Sequence, residues 1–167
     1  YLPNEREMRT KGQPVFGRGM VFPYSIEKLV VEDFQIPDSW LRICGIDFGF
    51  DHPTAIVWGA VNPDNGCFYV YDEYRESRKT AVEHAIAIRE RKHQPPIAWP
   101  HDGNRSFDGG DSMAQQYRAE GANLLMEHFT NPPDISQTKG DIKISAGITA
   151  MTRAMQKGLF KVFKSCH

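Results

Sequence analysis

Several things are missing from this chain, and each absence excludes a class of function. No apolar run approaches the length that spans a bilayer and no signal peptide is visible, so a membrane protein is not indicated and a cytosolic setting is expected. Net charge is nearly absent, −1 over 167 residues, so no global field draws in a polyanion and any nucleic-acid contact must come from a local patch. Cysteine is scarce: Cys44, Cys67 and Cys166 are odd in number and lack CxxC spacing, which suggests neither a disulfide framework nor a zinc site. No GxxxxGK[ST] run occurs, which leaves no P-loop for nucleotide phosphates. The chain opens on Tyr1 rather than an initiator methionine and is expected to be an excised part of something longer.

What remains is ordinary for a globular domain, with 40% apolar and 25% charged residues in a chain long enough to bury one core. Residues 1–40 hold Pro3, Pro14, Pro23 and Pro37 with Gly12, Gly17 and Gly19 among them and no sustained periodicity, and read as an extended arm or linker. Short apolar clusters such as Leu29, Val30 and Val31 could pin that arm to the domain or form an edge strand. From residue 41 the pattern changes. Strands are expected over 42–48, 54–61 and 67–74, joined by short turns including Asn62-Pro-Asp-Asn-Gly66, as an antiparallel meander.

Thr80 and Glu83 form a capping box opening a helix to about Lys92, halted by Pro95 and Pro96. A short buried strand over 97–101 then leads to Asp102. Asp111 can cap a second helix ended by Gly121, residues 122–126 read as another strand, and Asp141 can open a third helix. Its Ile144, Ile148, Met151 and Met155 recur at helical spacing, Gly158 terminates it, and 159–163 reads as a last strand. The order βββαβαβαβ calls for an α/β fold, a mixed sheet with helices on both faces.

Within that order two carboxylates stand out. Asp47 ends the first strand of the meander and Asp102 ends the strand after the first helix. A lone acid at the end of a buried strand either caps its own turn or holds a cation, since an uncompensated buried charge costs several kcal/mol. If the two strands run parallel side by side, both acids meet on one edge. A hard divalent ion, Mg²⁺ or Mn²⁺, then relieves their repulsion, and the geometry suits two-metal phosphoryl transfer.

Blander readings stand beside these. Asp51 and His52 could tune Asp47 or be plain turn chemistry, Glu73 could approach the edge or be a solvated strand end, and His101 reads as a buried, satisfied histidine. Arg105, Lys139 and Lys143 sit in Gly-containing loops where they could meet phosphates, or be merely solvated.

Ile46-Asp-Phe-Gly-Phe-Asp-His-Pro-Thr-Ala55, Trp99-Pro-His-Asp-Gly103, Lys139-Gly-Asp-Ile-Lys143 and the closing Met155-Gln-Lys-Gly-Leu-Phe-Lys-Val-Phe163 resemble the C-terminal nuclease domain of tailed-phage large terminase subunits. The resemblance implies a ribonuclease H-like fold over 41–167, with 1–40 as the arm toward an absent packaging ATPase domain of the same polypeptide. It implies a metal-dependent endonuclease that cuts concatemeric double-stranded DNA in the cytoplasm of the infected host, working with a portal protein and a small terminase subunit. Asp47 matches the family's first metal-binding acid and Asp102 its second. The third lies, in the family, beyond the strand matching 159–163. Here either a segment past His167 supplies it, which is favoured and makes the domain truncated, or Asp51, Asp108 or Asp111 substitutes. Two rival readings are a non-catalytic module that docks on DNA or the portal, and an actin-like or sugar-kinase-like half-domain whose Asp-x-Gly turn cradles ATP phosphate.

Overall fold

The computed structural model describes residues 22, 24–106, 110–130 and 145–166. Its frame is one six-stranded mixed sheet: β1 (Val30–Val31), β2 (Leu41–Asp47), β3 (Thr54–Val61), β4 (Phe68–Glu76), β5 (Ile97–Ala98) and β6 (Phe160–Phe163), in the spatial order β1-β6-β4-β3-β2-β5. The meander read from the sequence is present, with β2, β3 and β4 antiparallel neighbours. At either side of it the sheet turns parallel, β5 against β2 and β6 against β4. Val30–Val31 pairs in parallel with β6 at the edge, so an apolar cluster of the Pro- and Gly-rich segment forms the outermost strand.

Two differences from the sequence reading have clear causes. Residues 122–126 make a single parallel bridge, Ile97 to Leu124, rather than a strand, because β5 is itself only two residues long and offers no ladder to extend. Ser112, not Asp111, caps the second helix. Only Ser112 stands three residues before Gln115, and that spacing closes a reciprocal capping box.

The helices are α1 (Ala81–Arg89), α2 (Met113–Ala119) and α3 (Ser145–Gln156). Thr80 caps α1 as expected: its hydroxyl accepts from the Glu83 amide, while the Glu83 carboxylate accepts from the Thr80 amide at 2.8 Å. Strand alternation sends Cys44, Ile46, Ile56 and Trp58 to one face, where they pack with Ala81 and Ile88 of α1 and Ala114 and Tyr117 of α2. α3 packs against β6 and buries Met155, and Gly158, at φ 71°, ends it in the left-handed conformation that glycine tolerates.

Arg91, just past α1, anchors that helix. Its guanidinium lies 3.1 Å from Asp72 and 4.6 Å from the Trp58 ring centroid, which ties α1 to the sheet. No helix of the described residues is long and apolar enough to cross a membrane.

Candidate metal centre

Asp47 is the last residue of β2. Because Ile46 points into the core, alternation puts Asp47 on the opposite face, and it is exposed. β5 pairs with β2 in parallel, Cys44 opposite Ile97 and Gly45 opposite Ala98, so both strands reach their C-terminal ends on the same rim of the sheet. The strand expected to run to His101 stops at Ala98, and Asp102 sits instead in a one-turn 3₁₀ helix, His101–Asn104, closed by the Arg105 amide donating to the Asp102 carbonyl at 2.9 Å.

The two acid-bearing tips touch. A Cβ built on Gly103 would fall 2.5 Å from Phe48 Cε2 and 2.6 Å from Trp99 Cε3, so only a glycine lets the 3₁₀ turn close onto the residue after Asp47. The Trp99 indole is fixed in turn by donating to the Leu125 carbonyl at 2.7 Å, with Arg118 stacked 5.2 Å from its centroid.

The turn after Asp47 is held from beneath. Thr54, fully buried at the start of β3, accepts from the Gly49 amide at 3.1 Å and donates to the Gly49 carbonyl at 2.9 Å. Tyr117 lies close by, a phenol that burial pushes well above its usual range. Phe48 packs edge-on against the same Tyr117 ring at 5.1 Å. His84 stacks on the other side of Tyr117, 6.0 Å away, and its Nδ1 is 3.0 Å from the Tyr74 hydroxyl. The ring contacts among Phe48, Tyr74, His84 and Tyr117 were not visible in the sequence, since they join the turn after β2 to β4, α1 and α2.

Asp102 is half-buried, and its Oδ1 is shielded from solvent with no hydrogen-bond partner among the described residues. A carboxylate oxygen shielded from water without a donor is unfavourable, and a cation facing it would compensate. Oxygen donors alone, with no cysteine or histidine in the set, fit a hard divalent ion. The set is partial: among the described residues no three His, Cys, Asp or Glu side chains converge.

Of the substitute acids, Asp51 is solvent-exposed on the β2–β3 turn with its carboxylate 4.0 Å from Arg78 Nε, and Asp111 is exposed ahead of α2. Asp108, Lys139 and Lys143 lie outside the described residues. Arg105 is exposed directly after the Asp102 turn. His101 is exposed rather than buried, its ring edge-on to His128 at 4.9 Å.

A family model described as the terminase RNaseH-like domain matches residues 44–167. The large terminase subunit of Enterobacteria phage LP7 is 33% identical over 167 residues, 99% of this chain and 34% of that protein. The chain spans about a third of the curated large subunits it matches. The solved nuclease domain of the Salmonella phage P22 large terminase superposes with a TM-score of 0.75 at 32% identity, over 90% of this chain and 75% of that one. The nuclease domain of the bacteriophage SPP1 large terminase, solved with bound Mn, shares the fold at a TM-score of 0.52 and 18% identity, over 83% of this chain and 71% of that one.

Proposed function

Because the chain belongs to the terminase RNase H-like family, we propose that it is a metal-dependent endonuclease domain that hydrolyses phosphodiester bonds of double-stranded DNA, with Asp47 and Asp102 as metal ligands. The observation that carries this reading is the meeting of the two acid-bearing tips on one rim, through the β2–β5 parallel register and the contact of Gly103 with Phe48. The solvent-shielded Asp102 oxygen with no partner supports it further, because a cation is what such an oxygen lacks.

Asp47 and Asp102 would hold Mg²⁺ or Mn²⁺, which when bound supplies an activated water and charge stabilisation at the leaving oxygen. The protein's share is preorganisation. Thr54 hydrogen bonds and the packing of Phe48 on Tyr117 hold the turn that carries Asp47, and the Gly103 contact sets the Asp102 turn against it, so the two carboxylates would need little ordering to take up an ion. Arg105, and Lys139 and Lys143 beyond the described residues, are positioned in sequence to meet backbone phosphates. In the whole protein the domain would cut concatemeric phage DNA in the host cytoplasm, alongside a packaging ATPase domain of the same polypeptide, a portal protein and a small terminase subunit.

Plasmid nicking in Mn²⁺ tests the assignment. Asp47→Asn and Asp102→Asn should each lower the nicking rate at least about 100-fold relative to the unaltered chain. Equal nicking by all three proteins would remove both acids from the mechanism. The lack of a third converging acid among the described residues favours one rival, a DNA- or portal-docking module without catalysis. Calorimetry separates the two, since a docking module takes up no Mn²⁺ yet still binds DNA in a salt-sensitive way.

A further inference from the structure

Asp47 pairs across the sheet with Ala55 of β3, and Ala55 pairs with Arg75 of β4. Residues directly opposite one another in antiparallel strands share a face, so Asp47, Ala55 and Arg75 form one row on the side of the sheet away from the α1–α2 core. Two interstrand steps put Arg75 about 10 Å from Asp47 along that row, and the only side chain between them is the methyl of Ala55. An extended arginine spans most of that gap.

Other arginines near this part of the fold are engaged. Arg78 faces Asp51, Arg91 faces Asp72, and Arg42 donates to the carbonyls of Ile36 and Pro37. Arg75 is exposed, and among the described residues no carboxylate or carbonyl engages its guanidinium. On the other side of the acid pair, one strand past β2, stands Arg105. The rim thus reads Arg105, Asp102, Asp47, Ala55, Arg75, a cation at each end of an acidic centre.

We propose that Arg75 binds a backbone phosphate of the DNA strand being cut, on the β4 side of the acid pair, so that the strand crosses the sheet rim from Arg105 toward Arg75. This rests on the reading of Asp47 as a metal ligand. The contact is to phosphate and carries no base preference. It makes Arg75 a substrate-binding residue, one that could not be found before the strand pairing was known.

The test compares the chain with Arg75→Gln, Arg75→Lys and, as a surface control, Arg153→Gln on α3. In Mn²⁺ plasmid nicking, Arg75→Gln should raise KM about tenfold with little change in kcat, Arg75→Lys should recover most of that loss, and Arg153→Gln should match the unaltered chain. The salt dependence of DNA binding, measured without divalent metal, should lose about 0.9 from its log–log slope in Arg75→Gln. Unchanged KM and slope in Arg75→Gln, with nicking still abolished by Asp47→Asn, overturns the phosphate contact alone. Nicking that survives Asp47→Asn overturns the reading beneath it. A drop confined to kcat, or one equalled by Arg153→Gln, also counts against the proposal.

Discussion

Replacing Thr54 with valine removes a hydroxyl while keeping the shape of the side chain, so it isolates the polar brace under the Asp47 turn from simple packing. The hydroxyl accepts from the Gly49 amide at 3.1 Å and donates to the Gly49 carbonyl at 2.9 Å. Two hydrogen bonds at about 1 kcal/mol net each give about 2 kcal/mol for Thr54→Val. Thr54→Ser keeps every hydrogen bond and loses one buried methyl, about 1 kcal/mol. At about 3 °C per kcal/mol for a domain of this size, Tm should fall by about 6 °C for valine and about 3 °C for serine. Thermal melts followed by circular dichroism read the order directly. If packing alone mattered, valine would be the milder change, and a Thr54→Val protein at least as stable as Thr54→Ser would refute the brace.

Two further outcomes follow from the packing. A Cβ built on Gly59 would lie 2.0 Å from Phe68 Cζ, so Gly59→Ala should cost about 1–3 kcal/mol in urea denaturation, and Phe68→Leu in the same background should return part of it. Strict additivity of the two changes would show that the ring does not lie over that glycine. Burial depresses the His84 pKa below its usual 6.5, so the unfolded chain takes up the proton first. The resulting stability is complete above about pH 6.5 and drains away as pH falls, by at most about 1.4 kcal/mol per pH unit. His84→Phe, which keeps a ring beside Tyr117 but cannot titrate, should flatten the Tm profile between pH 7 and 5, and parallel profiles for the two proteins would contradict this.

Local signals account for what the sequence revealed. The Thr80–Glu83 capping box, the Asn62–Gly66 turn and the glycine at 158 each complete their own hydrogen-bonding or backbone requirement within a few residues, and each appears in the structure as read. Asp47 was legible for the same reason, as a carboxylate placed by strand alternation at the end of an apolar run. Asp102 was legible in place but not in form: the strand before it stops at Ala98, and Pro100 leads into a 3₁₀ turn instead. The capping choice at 111–112 could have been read correctly, because Gln115 identifies Ser112 by spacing alone. Two features could not have been read at all. Tyr117 meets Phe48 and His84 only through tertiary packing, and the Asp47–Ala55–Arg75 row exists only once three strands are paired in register.

A crystal of the chain soaked in Mn²⁺ and measured at the manganese edge addresses the central claim with the least intervening inference. Anomalous density within coordination distance of carboxylate oxygens from both Asp47 and Asp102 is the predicted result. Density that touches only one of them, lies elsewhere on the sheet, or fails to appear would contradict a shared ion at the β2–β5 rim.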